Sequence, residues 1–351
     1  MGLRGNRMEP FTHAFTSLAL GKSGDRWMPR FGLAMLVTAG VAPDIDYASY
    51  LAGPGAFLRL HRTLFHSLTG GALLACAIAA AFYFLDKRWP QSHVTQDKKY
   101  PPLSFVGALA VCAVGLAGHI LLDVASGVGV QLLWPFRSGW YRWNLDGNLD
   151  PWILVILVAG LLLPLLFRLV NEEVGDRSKG RGGARAAIVT LLLVVAYFGW
   201  RWHLQGEAVN LLMSREFHNR IALSAAAFPD PISPFDWRGV AVTDNTVEDL
   251  NVSLAPSGDY DPDRSRTHFK PDDSAVLEAG RETADARRFL SYAVIPVATV
   301  TPLEDGYRFE IHDMRFASDD LDPANIFVRV DFDSHLRIRS QQFLFASAPN
   351  P

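Results

Sequence analysis

Three short segments bring imidazoles and carboxylates together at the ends of apolar runs. Pro43-Asp44-Ile45-Asp46 closes one run, and His61-Arg62-Thr63-Leu64-Phe65-His66-Ser67 precedes the next. His119 and Asp123 close a third. Imidazole nitrogens and carboxylate oxygens are the usual ligands of zinc and similar divalent ions. Ionisable groups beside membrane-length apolar stretches are costly to keep and tend to mark function. The pattern points to a divalent metal site at one mouth of a membrane-embedded helical bundle.

Spacing sorts these residues. His119 and Asp123 are four apart and share a helical face. They can ligate one cation, bond to each other, or act as ligand and orienting partner; direct ligation is the reading adopted. His61 and His66 are five apart, which is not the metal pairing of H-E-x-x-H helices. His66 is better placed, at the mouth of a helix that Ser67 can cap. His61 is equally well an interfacial histidine bonded to a headgroup or a carboxylate. Asp44 and Asp46 would diverge on a strict helix, but after Pro43 at a helix end both can turn toward one centre. Their bland reading is a pair of Asx turns. Asp150-Pro151 reads as an N-cap and first-turn pair, and His203 with Glu207 as a surface pair.

The elements that must position these residues are mostly apolar helices. Residues 68–85, 103–122, 152–167 and 186–200 are runs without Asp, Glu, Lys or Arg. Two reach the length of a bilayer span, and the others extend into their flanks. Trp89, Trp134, Trp140, Trp143, Trp152, Trp200 and Trp202 suit an interfacial belt. Two shorter stretches, 10–20 and 31–41, read as a helical hairpin that returns His13 to the side of Asp44 and Asp46. The turn 22–30 and the loops 86–102 and 168–185 together carry twelve Lys and Arg, against Arg59, Arg62, Arg137 and Arg142 in the opposite loops. By the positive-inside rule the His/Asp motifs and the C-terminal half lie on the non-cytoplasmic side.

From about residue 205 the chain changes character. Residues 207–227 have helical character, and 228–234, rich in proline, reads as a turn or linker. Strand-type runs follow at 237–243, 247–254, 293–300, 307–311, 326–332 and 336–345, with a loop at 255–273 and one helix at 275–292. The fold class expected is an α-helical membrane bundle (1–206) followed by a smaller, mainly antiparallel β (α+β) soluble domain (207–351) that folds by itself. A net charge of −3 offers no basic excess for nucleic acid. Cys76 and Cys112 lie inside apolar runs and read as small buried hydrophobes.

The ordered motifs resemble the YdjM-type family. They are Pro-Phe-Thr-His-Ala-Phe around His13, Pro-Asp-Ile-Asp, His-Arg-Thr-Leu-Phe-His-Ser, Gly-His-Ile-Leu-Leu-Asp and Trp-Pro-Phe at 134–136. The likeness covers roughly residues 8–170. That family is described as inner-membrane, LexA-regulated, metal-dependent hydrolases. A fainter similarity joins the chain to zinc-dependent phospholipase C and related nucleases. His13, Asp46, His66, His119 and Asp123 follow their ligand order, and His203 with Glu207 could serve as the last pair. The lone histidine those proteins place in between has no counterpart here.

These resemblances, with the motifs, imply metal ligands His13, Asp46, His66, His119 and Asp123. The ion is a divalent metal, zinc by preference. Asp44 would orient a ligand or act as base, and His61 with Arg62 would bind an anionic group. The function expected is a multi-pass inner-membrane hydrolase acting on phospholipid-like phosphoesters, with membrane lipid as partner. The alternative is a non-enzymatic scaffold or regulator with a structural His/Asp metal site.

Overall fold

The computed structural model describes residues 10–89, 103–147, 150–173, 182–256, 258, 265–316 and 325–346. Lys98, Lys99, Arg177, Lys179 and Arg181, part of the basic count above, lie outside the described residues. Helices α1 (Pro10–Ser23) and α2 (Gly32–Val41) form the expected hairpin, with His13 near the start of α1 and Asp44 just past the end of α2. A 3-10 segment, Ala42–Ala52, and a short α3 (Pro54–Leu60) follow. The long helices are α4 (Leu68–Arg88), α5 (Phe105–Ala125), α6 (Pro151–Glu173) and α7 (Gly182–Met213).

Among the described residues, α4, α5 and Gly183–Met213 are long and apolar enough to cross a membrane. At ~1.5 Å per residue, α4 and α5 each reach about 32 Å, close to the hydrocarbon thickness. The fourth expected run is helical, but its apolar part, Pro151–Phe167, is shorter. In lipid the packing of helices relies on close contact between small residues. Ala39, Ala75, Ala79, Ala108 and Cys112 supply it here, buried where α2, α4 and α5 meet. Cys112 is buried as expected, whereas Cys76 is exposed; both are free. Leu73, Val106, Leu121 and Val195 point outward, as lipid-facing side chains must.

At 32 residues α7 measures about 48 Å, longer than any bilayer core. Its last turns leave the bundle, and Ala208 and Leu212 pack into a β-sheet with Trp237 and Val252. That sheet is an antiparallel meander of β3 (Ser224–Pro229), β4 (Asp236–Val242), β5 (Thr246–Ser253) and β6 (Arg266–Phe269). A small hairpin, β1 (Glu216–Phe217) and β2 (Arg220–Ile221), precedes it. The second sheet has the order β10-β9-β8-β7. Its strands are β7 (Pro296–Leu303), β8 (Gly306–Asp313), β9 (Ile326–Asp333) and β10 (Ile338–Phe345). Helices α8 (Ala275–Glu282) and α9 (Ala284–Tyr292) cover it.

Several expectations are corrected. The helix expected over 207–227 stops at Met213, because His218 and Asn219 take left-handed backbone (φ 51° and 62°) and turn the chain into a hairpin. Of the turn or linker expected at 228–234, the chain forms the turn between β3 and β4, with Phe228 and Pro229 in β3. The single helix expected over 275–292 divides at Thr283, whose hydroxyl donates to the Gly280 carbonyl and accepts from the Ala286 amide. Part of the expected loop 255–273 is strand β6; residues 257 and 259–264 of it lie outside the described residues.

The two halves also share a core. Phe57 and Leu58 of α3, and Val128 after α5, are buried with Val276, Phe289, Phe309 and Phe332 of the β domain. The buried ion pair of Arg315 with Asp313 extends this joint, since Arg315 Nη1 also donates to the Gly127 carbonyl at 2.8 Å.

Candidate metal centre

Four elements bring the ionisable residues to one end of the bundle. His119 and Asp123 occupy the last two turns of α5, with His119 Nε2 3.3 Å from Asp123 Oδ2. His119 Nδ1 donates to the Gly40 carbonyl at 2.9 Å, which leaves the Nε2 lone pair facing the cluster. His66 stands before Ser67, which caps α4 by accepting from the Gly70 amide at 3.0 Å. His66 Nε2 is 3.0 Å from His119 Nε2 and 3.0 Å from Asp123 Oδ2. Asp44 Oδ1 completes this face, 3.8 Å from His66 Nε2 and 3.7 Å from His119 Nε2. From α1, His13 stacks on His119 with ring centres 4.0 Å apart and places Nε2 3.5 Å from Asp123 Oδ1. His13, Asp44, His119 and Asp123 each offer one ligand atom, all within 4.8 Å of one another.

These distances suit a cation. Ligand atoms of a tetrahedral ion with ~2.0–2.1 Å bonds lie roughly 3.4 Å apart. Each imidazole Nε2 of His66 and His119 lies 3.0 to 3.8 Å from the other and from Asp123 Oδ2 and Asp44 Oδ1. Both Asp123 oxygens are buried, and among the described residues no donor meets either in hydrogen-bond geometry. Buried carboxylate oxygens without well-aligned donors are expensive unless an ion answers them.

Asp44 and Asp46 face different ways. They lie on a 3-10 segment, where each residue turns about 120°. Only one can face the cluster, and it is Asp44. Asp46 turns behind it: Oδ1 accepts from His61 Nδ1 at 2.8 Å, and Oδ2 accepts from the Arg62 amide at 3.0 Å and lies 3.0 Å from His66 Nδ1. Asp46 thereby lies against the His66 ring on the side away from the cluster. Burial would raise its pKa, but its bonds to His61 and His66 outweigh this and hold it well below the usual carboxylate range. Burial likewise disfavours charge on His66, yet Asp123, Asp44 and Asp46 hold its pKa well above the usual range. The three acids around His66 favour positive charge at this point.

His61 and Arg62 stand behind the cluster, not at its mouth. His61 is buried, stacked on Phe57 at 4.4 Å, and already bonded to Asp46. Arg62 is also buried, its Nη1 donating to Ser126 Oγ at 2.7 Å and its Nη2 lying 3.3 Å from Asp123 Oδ1. Its backbone is left-handed, at φ 57°. That strain is held from both sides, since the amide donates to Asp46 and the carbonyl accepts from the Gln131 amide at 3.0 Å.

Asp150 keeps its capping part, accepting from the Trp152 amide at 2.9 Å and from Tyr197 Oη at 2.7 Å. His203 and Glu207 are exposed on α7, as expected of a surface pair, and stand outside this group. Asp146, which with Asp150 flanks residues 147–149, is a buried acid; burial and the charge of Asp150 push its pKa well up.

Sequence reasoning missed Gly40 and Gly115, small residues where α2 meets α5. A Cβ on Gly115 would lie 2.5 Å from the Leu36 carbonyl oxygen, so only glycine allows this approach. Gly115 is one turn before His119, and the close contact brings the Gly40 carbonyl to the imidazole. We expect Gly115→Ala to pry α2 from α5 and destabilise the protein by about 1–3 kcal/mol. Thermal unfolding checks this; an unchanged Tm would show that the contact is dispensable.

Apolar helices ending in a buried imidazole–carboxylate cluster make this a membrane protein with a candidate metal site. Residues 8–208 match the family described as YdjM inner membrane protein, and the chain belongs to that family. The matched stretch contains every residue of the cluster. No curated protein and no solved structure matches the chain.

Proposed function

We propose that this chain is a membrane-bound, metal-dependent hydrolase that cleaves phosphoesters of lipid-like substrates at the membrane–water interface. The observation that carries the reading is the set of four donors at ligand-like separations with a single accessible edge. That edge is Asp44, whose side chain is 19% exposed while those of His66, His119 and Asp123 are fully buried. Its chain neighbour Ile45 is 67% exposed, and Leu68, two residues after His66, is 56% exposed. An opening bordered by exposed apolar side chains suits a substrate with acyl chains.

His66, His119, Asp123 and Asp44 would hold the ion, with His13 on the other oxygen of Asp123. When bound, a divalent ion such as zinc supplies Lewis acidity, polarising a phosphoryl oxygen and acidifying water. Asp46 and the Gly40 carbonyl fix the two imidazoles. Asp44 Oδ2, a buried oxygen without a hydrogen-bond partner among the described residues, can take a proton from a water admitted beside it. Arg62 neutralises Asp123 from behind. With neutral imidazoles, the carboxylates of Asp44, Asp46 and Asp123, the guanidinium of Arg62 and one divalent ion balance to zero charge. A second ion would leave an excess that a buried site does not tolerate. The basic-residue asymmetry of the loops supports an opening on the non-cytoplasmic side.

The alternative, a structural ion in a non-enzymatic scaffold, draws on the same burial and on the core shared with the β domain. One experiment separates the two. Protein purified in lipid nanodiscs is analysed for metal and assayed for phosphate-ester release from phospholipid, before and after chelation. We expect about one divalent ion per chain and hydrolysis that is lost on chelation and restored by zinc. Tight metal without any ester cleavage would leave the scaffold; protein that binds no metal would remove both readings.

A further inference from the structure

The β3–β4 turn, residues 230–235, lies against the start of α6 and the part of α7 where its apolar run ends. Trp152, in the first turn of α6, donates its indole N–H to the Ile232 carbonyl at 2.9 Å. Phe235 meets Trp200 of α7 edge-on, with ring centres 5.3 Å apart. Arg201 donates to the Pro234 carbonyl. The turn is prebuilt, because Asp230 Oδ1 accepts from the amides of Ile232 and Ser233, both at 2.8 Å, and its own amide donates to the Asp236 carbonyl. This rigid frame holds Ile232 outward, 73% exposed, beside Trp152 at 47%. Val155, one helical turn along α6, is itself 58% exposed on the lipid-facing surface.

We propose that this turn is a membrane-interface anchor of the β domain, with Ile232 seated at the boundary between headgroups and acyl chains. Tryptophans at helix ends mark that depth. The turn is hydrogen-bonded to Trp152 and packed on Trp200, where the apolar run of α7 ends, and its apolar tip continues the lipid-facing surface of α6. The occupant of this face is therefore the bilayer itself. The anchor holds the β domain down against the bundle mouth, independently of any bound metal.

The test uses the full chain in nanodiscs, in a Cys76→Ser, Cys112→Ala background. A fluorophore sensitive to polarity is attached at Ile232→Cys, at Val195→Cys as a lipid-facing reference, and at Asp305→Cys, exposed in the β7–β8 turn. The expected result is blue-shifted emission at 232, quenched by lipids spin-labelled near the headgroup and shielded from aqueous iodide. The label at 305 should show the reverse. Iodide quenching at 232 equal to that at 305 would overturn the proposal. Shielding from iodide without quenching by lipid would also overturn it, and would point to a second protein copy over the turn. Circular dichroism of each labelled protein confirms that the fold is kept.

Discussion

Replacing His119 by alanine is expected to lower divalent-metal affinity by more than ~100-fold, beyond the range seen when only an orienting partner is lost. The imidazole contributes one of the four closely spaced donors, and its own support, the Gly40 carbonyl, cannot substitute for it. Asp123→Ala should be at least as severe for metal. It should also cost about 3–5 kcal/mol of stability, because the buried Arg62 guanidinium loses its carboxylate partner. Asp46→Asn should fall between these and the parent, ~10–100-fold weaker, since Asp46 acts through His66. Alanine at His218 or His335, both exposed in the β domain, should leave metal content unchanged. Metal analysis of each purified variant beside its unfolding curve decides the matter. Full metal and full stability in both His119→Ala and Asp123→Ala would remove the site.

The second large effect follows from the shared core. Phe57 belongs to α3, only a few residues from His61, yet it is buried among β-domain residues. Phe57→Ala is expected to cost about 3–5 kcal/mol. The loss should be felt in both halves, since the ring also packs face to face with His61, which bonds Asp46. Denaturant unfolding followed by β-domain fluorescence and by metal release should show both signals moving together to lower denaturant. A change within about 0.5 kcal/mol, the range of ordinary surface substitutions, would contradict the shared core. On the same ground, residues 228–351 expressed alone should be less stable than in the full chain, because Phe57, Leu58 and Val128 would be missing from their core.

Much of the site was legible because helical periodicity is local. His119 and Asp123 at i, i+4 must share a face whatever surrounds them, and they do. The apolar runs were legible for a similar reason, since crossing lipid is a matter of length and composition. The hairpin of α1 and α2 followed from two apolar stretches around a polar turn, and it carried His13 to the right end. The places where sequence reading failed are those where local preference yields to contacts. The stretch 207–227 has a helical pattern, but pairing within the β domain claims its second half. The proline-rich segment reads as a turn or a linker, and only its strand neighbours and Trp152 make it a turn with a defined place.

By itself the sequence determined the class of protein, the helical bundle, the β domain that follows it, and the residue types gathered at one mouth. Composition and short-range spacing suffice for these because the chain need not be folded to express them. Only the tertiary structure decided which carboxylate faces the cluster. Asp44 and Asp46 are chemically alike, and the 3-10 turn that separates them is set by packing against α2 and α3. It also decided that His61 and Arg62 support the site from behind. An imidazole and a guanidinium can bind an outside anion or partner an acid of their own chain, and burial beside Asp46 and Asp123 chooses the second.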